Sequence, residues 1–165
     1  MPTTRHASAG ILSDKFADKR QEIVELLTRA YWREMETVMS YLANAANLDG
    51  IRADEIAEAL HADVQEELGH ARRFAERIKE LYGTTPGSLQ FTAEQTYLQP
   101  PEDTTDVVTV IKGVIEAEAG AIEHYTRIIE ACDGVDWATQ DMVIDVLRDE
   151  EGHMRTFERY LREFE

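Results

Sequence analysis

Two four-residue runs in this chain, Glu67-Leu68-Gly69-His70 and Glu150-Glu151-Gly152-His153, set a carboxylate and an imidazole three positions apart. On an α-helix residues three apart lie one above the other, so each run aims both groups at one point, the spacing of half a metal site. The chain continues alike after each His, with Arg72 and Phe74 after the first and Arg155 and Phe157 after the second. A single Glu-x-x-His on a helix is most often part of a solvated face. Two copies with matching sequels need a common explanation.

The runs can act together only if helices turn them inward, and the apolar spacing supplies those helices. From about Arg20, Ile23, Leu27, Ala30, Tyr31, Val38 and Tyr41 keep helical spacing, and Glu34 falls inside their stripe. A second stripe, Thr28, Trp32, Met35, Met39, Leu42 and Ala46, gives this helix another apolar face, either covered by its neighbours or forming a homo-oligomer interface. Asn47 to Ala53 is a short connection. A second helix follows from about Asp54 to Tyr82, carrying Glu67 and His70 on its apolar face, with Gly83 placed as its stop. Residues 84 to about 104, with Pro86, Gly87, Pro100 and Pro101, are too long for a hairpin loop and predict a crossover, within which Thr92-Ala93-Glu94-Gln95 reads as a capping box for a brief helix. A third helix runs from about Asp106 to Ala131, with Val107, Val108, Ile111, Val114, Ile115, Ile122, Tyr125 and Ile129 inward. After Asp133-Gly134, Asp136 is placed to cap a fourth helix that carries Glu150 and His153. The spacing predicts an all-α fold: a four-helix bundle over 20–165, joined short, long, short, behind an N-terminal arm at 1–19.

The repeat completes the site. Glu67 to Glu150 and His70 to His153 are both 83 positions apart, and Tyr41 to Tyr125 is 84. Adding 84 to Glu34 gives Glu118, which also lies on an apolar stripe, with Glu116 as the reserve candidate. The interior then holds Glu34, Glu67, His70, Glu118, Glu150 and His153. Unpaired buried carboxylates cost several kcal/mol each even after relaxation, so about four of them demand counter-charge. Two divalent cations would supply it. Oxygen and nitrogen donors together suit iron or manganese, with zinc as an alternative, and six side chains shared by two ions leave coordination positions open for chemistry. Tyr41 and Tyr125 are placed either to bond a metal-bound carboxylate or simply to be buried. His6 falls in the arm, His61 and His124 lie off the main stripes, and Glu66, Glu123 and Glu151 read as solvated surface.

Composition narrows the partners. The net charge is −16, from 33 acidic and 17 basic residues, and no basic run stands out, so a nucleic-acid backbone would be repelled. The lone Cys132 excludes an intrachain disulfide and reads as a core or helix-end thiol. No segment approaches the ~20 apolar residues of a membrane span, and the first twenty residues contain no signal-like apolar run. A soluble cytoplasmic protein is the expectation.

These residues resemble the ferritin-like di-iron carboxylate superfamily, on the side of bacterioferritin and the Dps-like mini-ferritins, over about residues 20 to 164. The resemblance rests on Glu34 with Tyr41, on Glu67-Leu68-Gly69-His70-Ala71-Arg72-Arg73-Phe74, and on Leu147-Arg148-Asp149-Glu150-Glu151-Gly152-His153. It implies two iron ions, with Glu34 and His70 as terminal ligands of one, Glu118 and His153 of the other, and Glu67 and Glu150 bridging. It further implies a ferroxidase that oxidises Fe(II) with O2 or H2O2 for iron storage or detoxification, in a homo-oligomer. The alternative is a peroxide-reducing di-iron or dimanganese enzyme resembling rubrerythrin or erythrin.

Departures refine the resemblance. Bacterioferritin's haem-ligating methionine position is Leu68 here, so no haem is expected. About twelve residues follow His153, too few for the fifth short helix of large ferritin cages, and the long crossover with its brief helix resembles the mini-ferritins, which implies a smaller shell, of 12 subunits in that form. The Lys-rich tail of DNA-binding mini-ferritins has no counterpart, the inferred site lies within one chain, and Cys132 stands without the cysteine pair common in the intrasubunit branch. Rubrerythrins add a Glu one turn after the third-helix ligand, where this chain has Ala121.

Overall fold

The computed structural model describes residues 9–165, so His6 and residues 1–8 of the N-terminal arm lie outside the described residues. Four long helices carry the chain: α1 (Ala17–Asn47), α2 (Ala53–Glu80), α3 (Val107–Cys132) and α4 (Trp137–Leu161). No strand occurs among the described residues, and the all-α four-helix bundle read from the apolar spacing is the observed fold. None of its helices is long and apolar enough to cross a membrane. Ahead of α1, residues Gly10–Leu12 and Asp14–Phe16 form 3-10 turns. The Arg20 guanidinium ties them to α1 by donating to Ile11 O at 2.9 Å and Ser13 O at 3.0 Å.

α1 packs closely on α2, and α3 on α4; the two hairpins stand further from each other. Each hairpin turns on a glycine with a positive φ, Gly50 at 108° and Gly134 at 70°, which residues bearing a Cβ rarely adopt. Asp106 and Asp136 cap α3 and α4, accepting from the amides of Thr109 and Thr139 at 2.9 and 3.1 Å. The end of α2 departs from expectation. The left-handed residue there is Tyr82, at φ 65°, with the Arg20 guanidinium over its ring. Gly83 serves by lacking a side chain, since a Cβ would stand 2.8 Å from Val24 Cγ1.

The segment from 82 to 106 runs back along the bundle. Its far end is fixed beside the α1–α2 turn, where Asp49 N donates to Thr104 O at 2.8 Å. α2 has 28 residues and so spans ~42 Å, which is why this link must be long. The brief helix expected from Thr92 does not form; the segment holds 3-10 turns at Ser88–Gln90 and Thr96–Leu98 instead. The reason is Glu36. Its buried carboxylate accepts from the amides of Glu94 and Gln95 at 2.8 and 2.7 Å, so α1 takes the donors that a capping box would use. Gln95 Nε2 donates to Thr37 Oγ1 at 2.9 Å, and Asn44 Nδ2 to Leu98 O at 2.8 Å, completing a polar seam along α1.

The core is divided. One apolar cluster gathers Ile23, Leu27, Phe74, Ile78, Ile128 and Val143; the other gathers Val38, Leu60, Val64, Ile111, Val114 and Phe157. Between them lies the level of Glu34, Glu67, Glu118 and Glu150. On α3, Val107, Ile111, Val114 and Tyr125 are buried as expected and are joined by Val110, Ala117, Ala121 and Ile128, while Val108, Ile115, Ile122 and Ile129, also expected inward, are half-buried. α3 packs against both α4 and α1, so its buried arc is rotated and broadened beyond a single stripe.

Glu36→Ala is expected to lower the unfolding free energy by about 2–3 kcal/mol in urea denaturation, because two buried amides lose a charged acceptor. The Glu94 and Gln95 amides should lose hydrogen-exchange protection while the α2 core amides keep theirs.

Candidate metal centre

All six side chains singled out by the repeat meet at the middle of the bundle, each buried. α1 supplies Glu34, α2 Glu67 and His70, α3 Glu118, and α4 Glu150 and His153. Glu118 is 2% exposed, whereas Glu116 faces solvent, so of the two third-helix candidates only Glu118 enters the centre.

Two overlapping groups of donors result. Glu34, Glu67, His70 and Glu150 each offer one ligand atom within 4.8 Å of the others, and so do Glu67, Glu118, Glu150 and His153. Glu67 and Glu150 belong to both groups. Around His70, Nδ1 lies 3.3 Å from Glu67 Oε2, 3.1 Å from Glu150 Oε1 and 4.0 Å from Glu34 Oε1. Around His153, Nδ1 lies 3.2 Å from Glu150 Oε2, 3.3 Å from Glu67 Oε1 and 3.8 Å from Glu118 Oε1. The second set repeats the first with the hairpins exchanged.

A second layer of hydrogen bonds crosses the same pseudo-two-fold axis. The Tyr41 hydroxyl donates to Glu118 Oε1 at 2.5 Å, and the Tyr125 hydroxyl donates to Glu34. The outer nitrogens of the histidines behave alike: His70 Nε2 donates to Asp149 Oδ2 at 2.9 Å, and His153 Nε2 to Glu66 Oε2 at 2.9 Å, with Asp63 at 3.7 Å. A carboxylate can only accept, so these contacts fix Nε2 as protonated and leave Nδ1 aimed at the centre. Glu66, expected to be plain surface, therefore orients a histidine, and Asp149 does the same for the other. Their signal was in the chain: an acidic residue precedes the Glu of each run, Glu66 before Glu67 and Asp149 before Glu150. His124 also departs from its expected surface position; it is buried, with Nε2 donating to Leu26 O at 2.9 Å. His61 and Glu151 are exposed as expected, and Cys132 is buried at the end of α3.

Protons show what the centre lacks. Burial, reinforced by Glu67 and Glu150, raises Glu34 well above the carboxylate range, and burial with the same two neighbours does so for Glu118. Burial would also raise Glu67, but a hydrogen bond from Glu34, the nearby His153 imidazole and a hydrogen bond from His70 outweigh it and hold Glu67 low. Glu34 thus keeps the proton that the pair shares. Burial disfavours charge on both imidazoles, yet Glu150 and Glu67 overcome it, pushing His70 up to about 10 and His153 higher still. Even so, Glu67 Oε1 and Glu150 Oε1 are buried and accept no hydrogen bond. Their nearest imidazole nitrogens lie within ion-pair distance but outside hydrogen-bonding geometry. Orphaned oxygens on the two shared carboxylates, between two sets of oxygen and nitrogen donors, fit a pair of divalent cations.

Comparison with known proteins follows the same lines. Residues 24–165 match the Ferritin-like domain family. A DNA protection during starvation protein of Pyrococcus furiosus is 29% identical over 146 residues, spanning 86% of this chain and 77% of that one. A bacterioferritin of Desulfovibrio desulfuricans is 25% identical over 144 residues, spanning 86% and 75%. Among solved structures, a ferritin-like, diiron-carboxylate protein of Bacillus anthracis superposes with a TM-score of 0.74 at 25% identity, covering 87% of this chain and 97% of that one.

Burial and the neighbouring carboxylates favour the protonated forms of Glu34 and Glu118, and Glu150 and Glu67 favour those of His70 and His153. Loading two divalent ions is expected to release protons from the centre, read by calorimetry in buffers of different ionisation enthalpy. Each of these groups has a folded pKa above its unfolded one, so its stabilisation is present at low pH and lost as pH rises. For His70 the window runs from 6.5 to about 10. Metal-free Tm should fall across it, and a flat profile would contradict the charge assignment.

Proposed function

The chain belongs to the Ferritin-like domain family, and from that premise we propose that it is a di-iron ferroxidase, oxidising Fe(II) with O2 or H2O2 for iron storage or for protection against iron and peroxide. One observation carries this reading: two donor groups share Glu67 and Glu150 and leave one oxygen of each unbonded between them. In this reading Glu34 and His70 would hold one iron and Glu118 and His153 the other, with Glu67 and Glu150 shared by both groups of donors. Iron is favoured over manganese or zinc by the relatives, a bacterioferritin and a diiron-carboxylate protein by name. Two ions held side by side let a single oxidant take two electrons.

The chain's own groups serve that exchange. His70 and His153 are held by Asp149 and Glu66 with Nδ1 turned inward, so the nitrogen donors are oriented before metal arrives. The Tyr41 and Tyr125 hydroxyls donate to the two terminal carboxylates and hold each in place beside its histidine. The apolar clusters on either side confine ions and oxidant to this level of the bundle. A peroxide-reducing centre with a seventh carboxylate finds no ligand at Ala121, one turn after Glu118.

We place the protein in the cytoplasm as a homo-oligomer, a 12-subunit shell in the mini-ferritin form, with neither haem nor nucleic acid as a partner. The outward face of α1 supports the oligomer. Met39 is 63% exposed and Leu42 44%, and Trp32, Met35 and Met39 line an apolar groove against Pro86 and Phe91 of the crossover. Trp32 Nε1 is buried there with no acceptor. The net charge of −16 weighs against DNA as a partner, despite the DNA protection named for the Pyrococcus relative.

Stopped-flow absorbance after mixing Fe(II) with oxygenated protein should show rapid ferric formation. Glu67→Ala should slow it at least about 100-fold, and Asp149→Asn or Glu66→Gln about 10- to 100-fold. Unchanged rates in Glu67→Ala would remove the centre from the chemistry. In light scattering, Met39→Glu should shift the assembly to smaller species, since it places a charge on the proposed interface. An unaltered mass would move the interface elsewhere.

A further inference from the structure

Positive charge is scarce in this chain, yet three arginines meet at one hollow on the outside of the bundle. No basic patch is visible in the sequence, because Arg29 and Arg33 come from α1 and Arg127 from α3; only the fold brings them together. With Gly120, Glu123 and His124 they line a cavity of about 130 Å³. Three guanidinium groups thus face one carboxylate in a protein whose acidic residues outnumber its basic ones 33 to 17.

Arg33 is the fixed part of this hollow. Its guanidinium lies against α3 where Gly120 leaves room, since a Cβ there would stand 2.5 Å from Nη2. Nη2 reaches Ala117 O at 3.4 Å, long for a hydrogen bond, and the Tyr97 phenol stands beside the group. Arg33 Nε is buried with no hydrogen-bond partner, and no carboxylate lies within ion-pair distance of Arg33 among the described residues. Arg29 and Arg127 form the rim. Their pairs, with Glu94 at 3.1 Å and with Glu123, are solvent-exposed and readily exchanged for a stronger partner. His124 closes the buried side. Burial, then Arg33, Arg29 and Arg127, hold its imidazole down at about 4 against the Leu26 carbonyl it donates to, so it is neutral at physiological pH.

We propose that this hollow binds a phosphate group, free or carried on a small ester, with Arg33 as its central donor and Arg29 and Arg127 closing over it. The planar guanidinium fork matches the edge of a tetrahedral oxyanion, and Arg33 has no carboxylate within ion-pair distance among the described residues to compete for it. The cavity has room for one small anion. A nucleic-acid duplex laid across it would meet a chain whose net charge is −16. Glu34 and Arg33 are neighbours on α1, the one turned to the metal centre and the other to this hollow, so the site is separate from the six buried donors.

The test uses metal-free full-length protein at constant ionic strength, titrated with orthophosphate and with O-phosphoserine by calorimetry and by NMR of labelled histidine rings. Saturable uptake of one anion per chain is expected, with the His124 signals moving as its pKa rises, because the bound anion offsets the three guanidinium groups; exposed His61 should not respond. Arg33→Ala should weaken binding at least tenfold, and Arg33→Lys, which keeps charge but loses the fork, should fall between. Binding of both ligands assigns a carried phosphate, and binding of orthophosphate alone assigns the free anion. The proposal is overturned if His124 does not respond in the unmodified protein, if chloride produces the same shift, if uptake survives Arg33→Ala, or if duplex DNA competes more tightly than orthophosphate.

Discussion

Burying four glutamates and two histidines at one level of a helical bundle is the constraint to which the rest of this structure answers. An ionised carboxylate in an apolar interior costs several kcal/mol, and about four together could not be tolerated without compensation. Burial and the close carboxylates favour protons on Glu34, Glu118 and both imidazoles, which is one form of compensation. That solution is incomplete, because one oxygen of Glu67 and one of Glu150 stay unbonded. Two divalent ions would balance the four carboxylates and give both oxygens a partner. Proton and metal compete for one set of atoms, so the groups that favour protons here are the ones that fit divalent cations.

The centre also joins the two halves of the molecule. Tyr41 of α1 reaches Glu118 of α3, Tyr125 of α3 reaches Glu34 of α1, His70 of α2 reaches Asp149 of α4, and His153 of α4 reaches Glu66 of α2. Each of these bonds crosses from one hairpin to the other. The hairpins are more widely spaced than the helices within them, and Glu, His and Tyr are long enough to fill that gap. Small apolar residues at these positions would leave a void, and bulky ones would lose the pairing that fixes the register of one hairpin against the other.

Much of this was legible in the sequence because a repeat carries redundant information. The offset of 83 links Glu67 with Glu150 and His70 with His153, and adding 84 to Glu34 selects Glu118 over Glu116, which the fold leaves in solvent. What escaped depended on contacts between elements. Glu66 and Asp149 sit on exposed helix faces, and only the approach of the opposite hairpin gives them a histidine to hold. His124 lies off the apolar stripe of α3 and is buried because α1 covers it. The capping pattern at Thr92 was a sound local signal, but Glu36, 58 positions from Glu94, takes the amides it needed. Tyr82 rather than Gly83 adopts the left-handed turn because Arg20 stacks on its ring and Val24 excludes a side chain at 83.

The long crossover follows from the same symmetry. Each hairpin contributes one Glu and one Glu-x-x-His run, half of the donors and half of the negative charge, yet each donor group draws on both hairpins. A hairpin alone therefore has three donors and no complete position. To bring two equivalent hairpins together about a two-fold axis, α3 must start at the end of the bundle where α1 turns into α2, which Asp49 and Thr104 mark. A short loop after α2 would start α3 at the opposite end and reverse its direction, turning Glu118 and Tyr125 out of register with Tyr41 and Glu34. The link has to run the length of α2, and a link that long needs its own anchorage. Glu36, Thr37 and Asn44 provide it on α1, using polar side chains interleaved with the apolar face that meets the core. The site's symmetry thus dictates the connection, and the connection accounts for buried polar residues on α1 that take no part in binding metal.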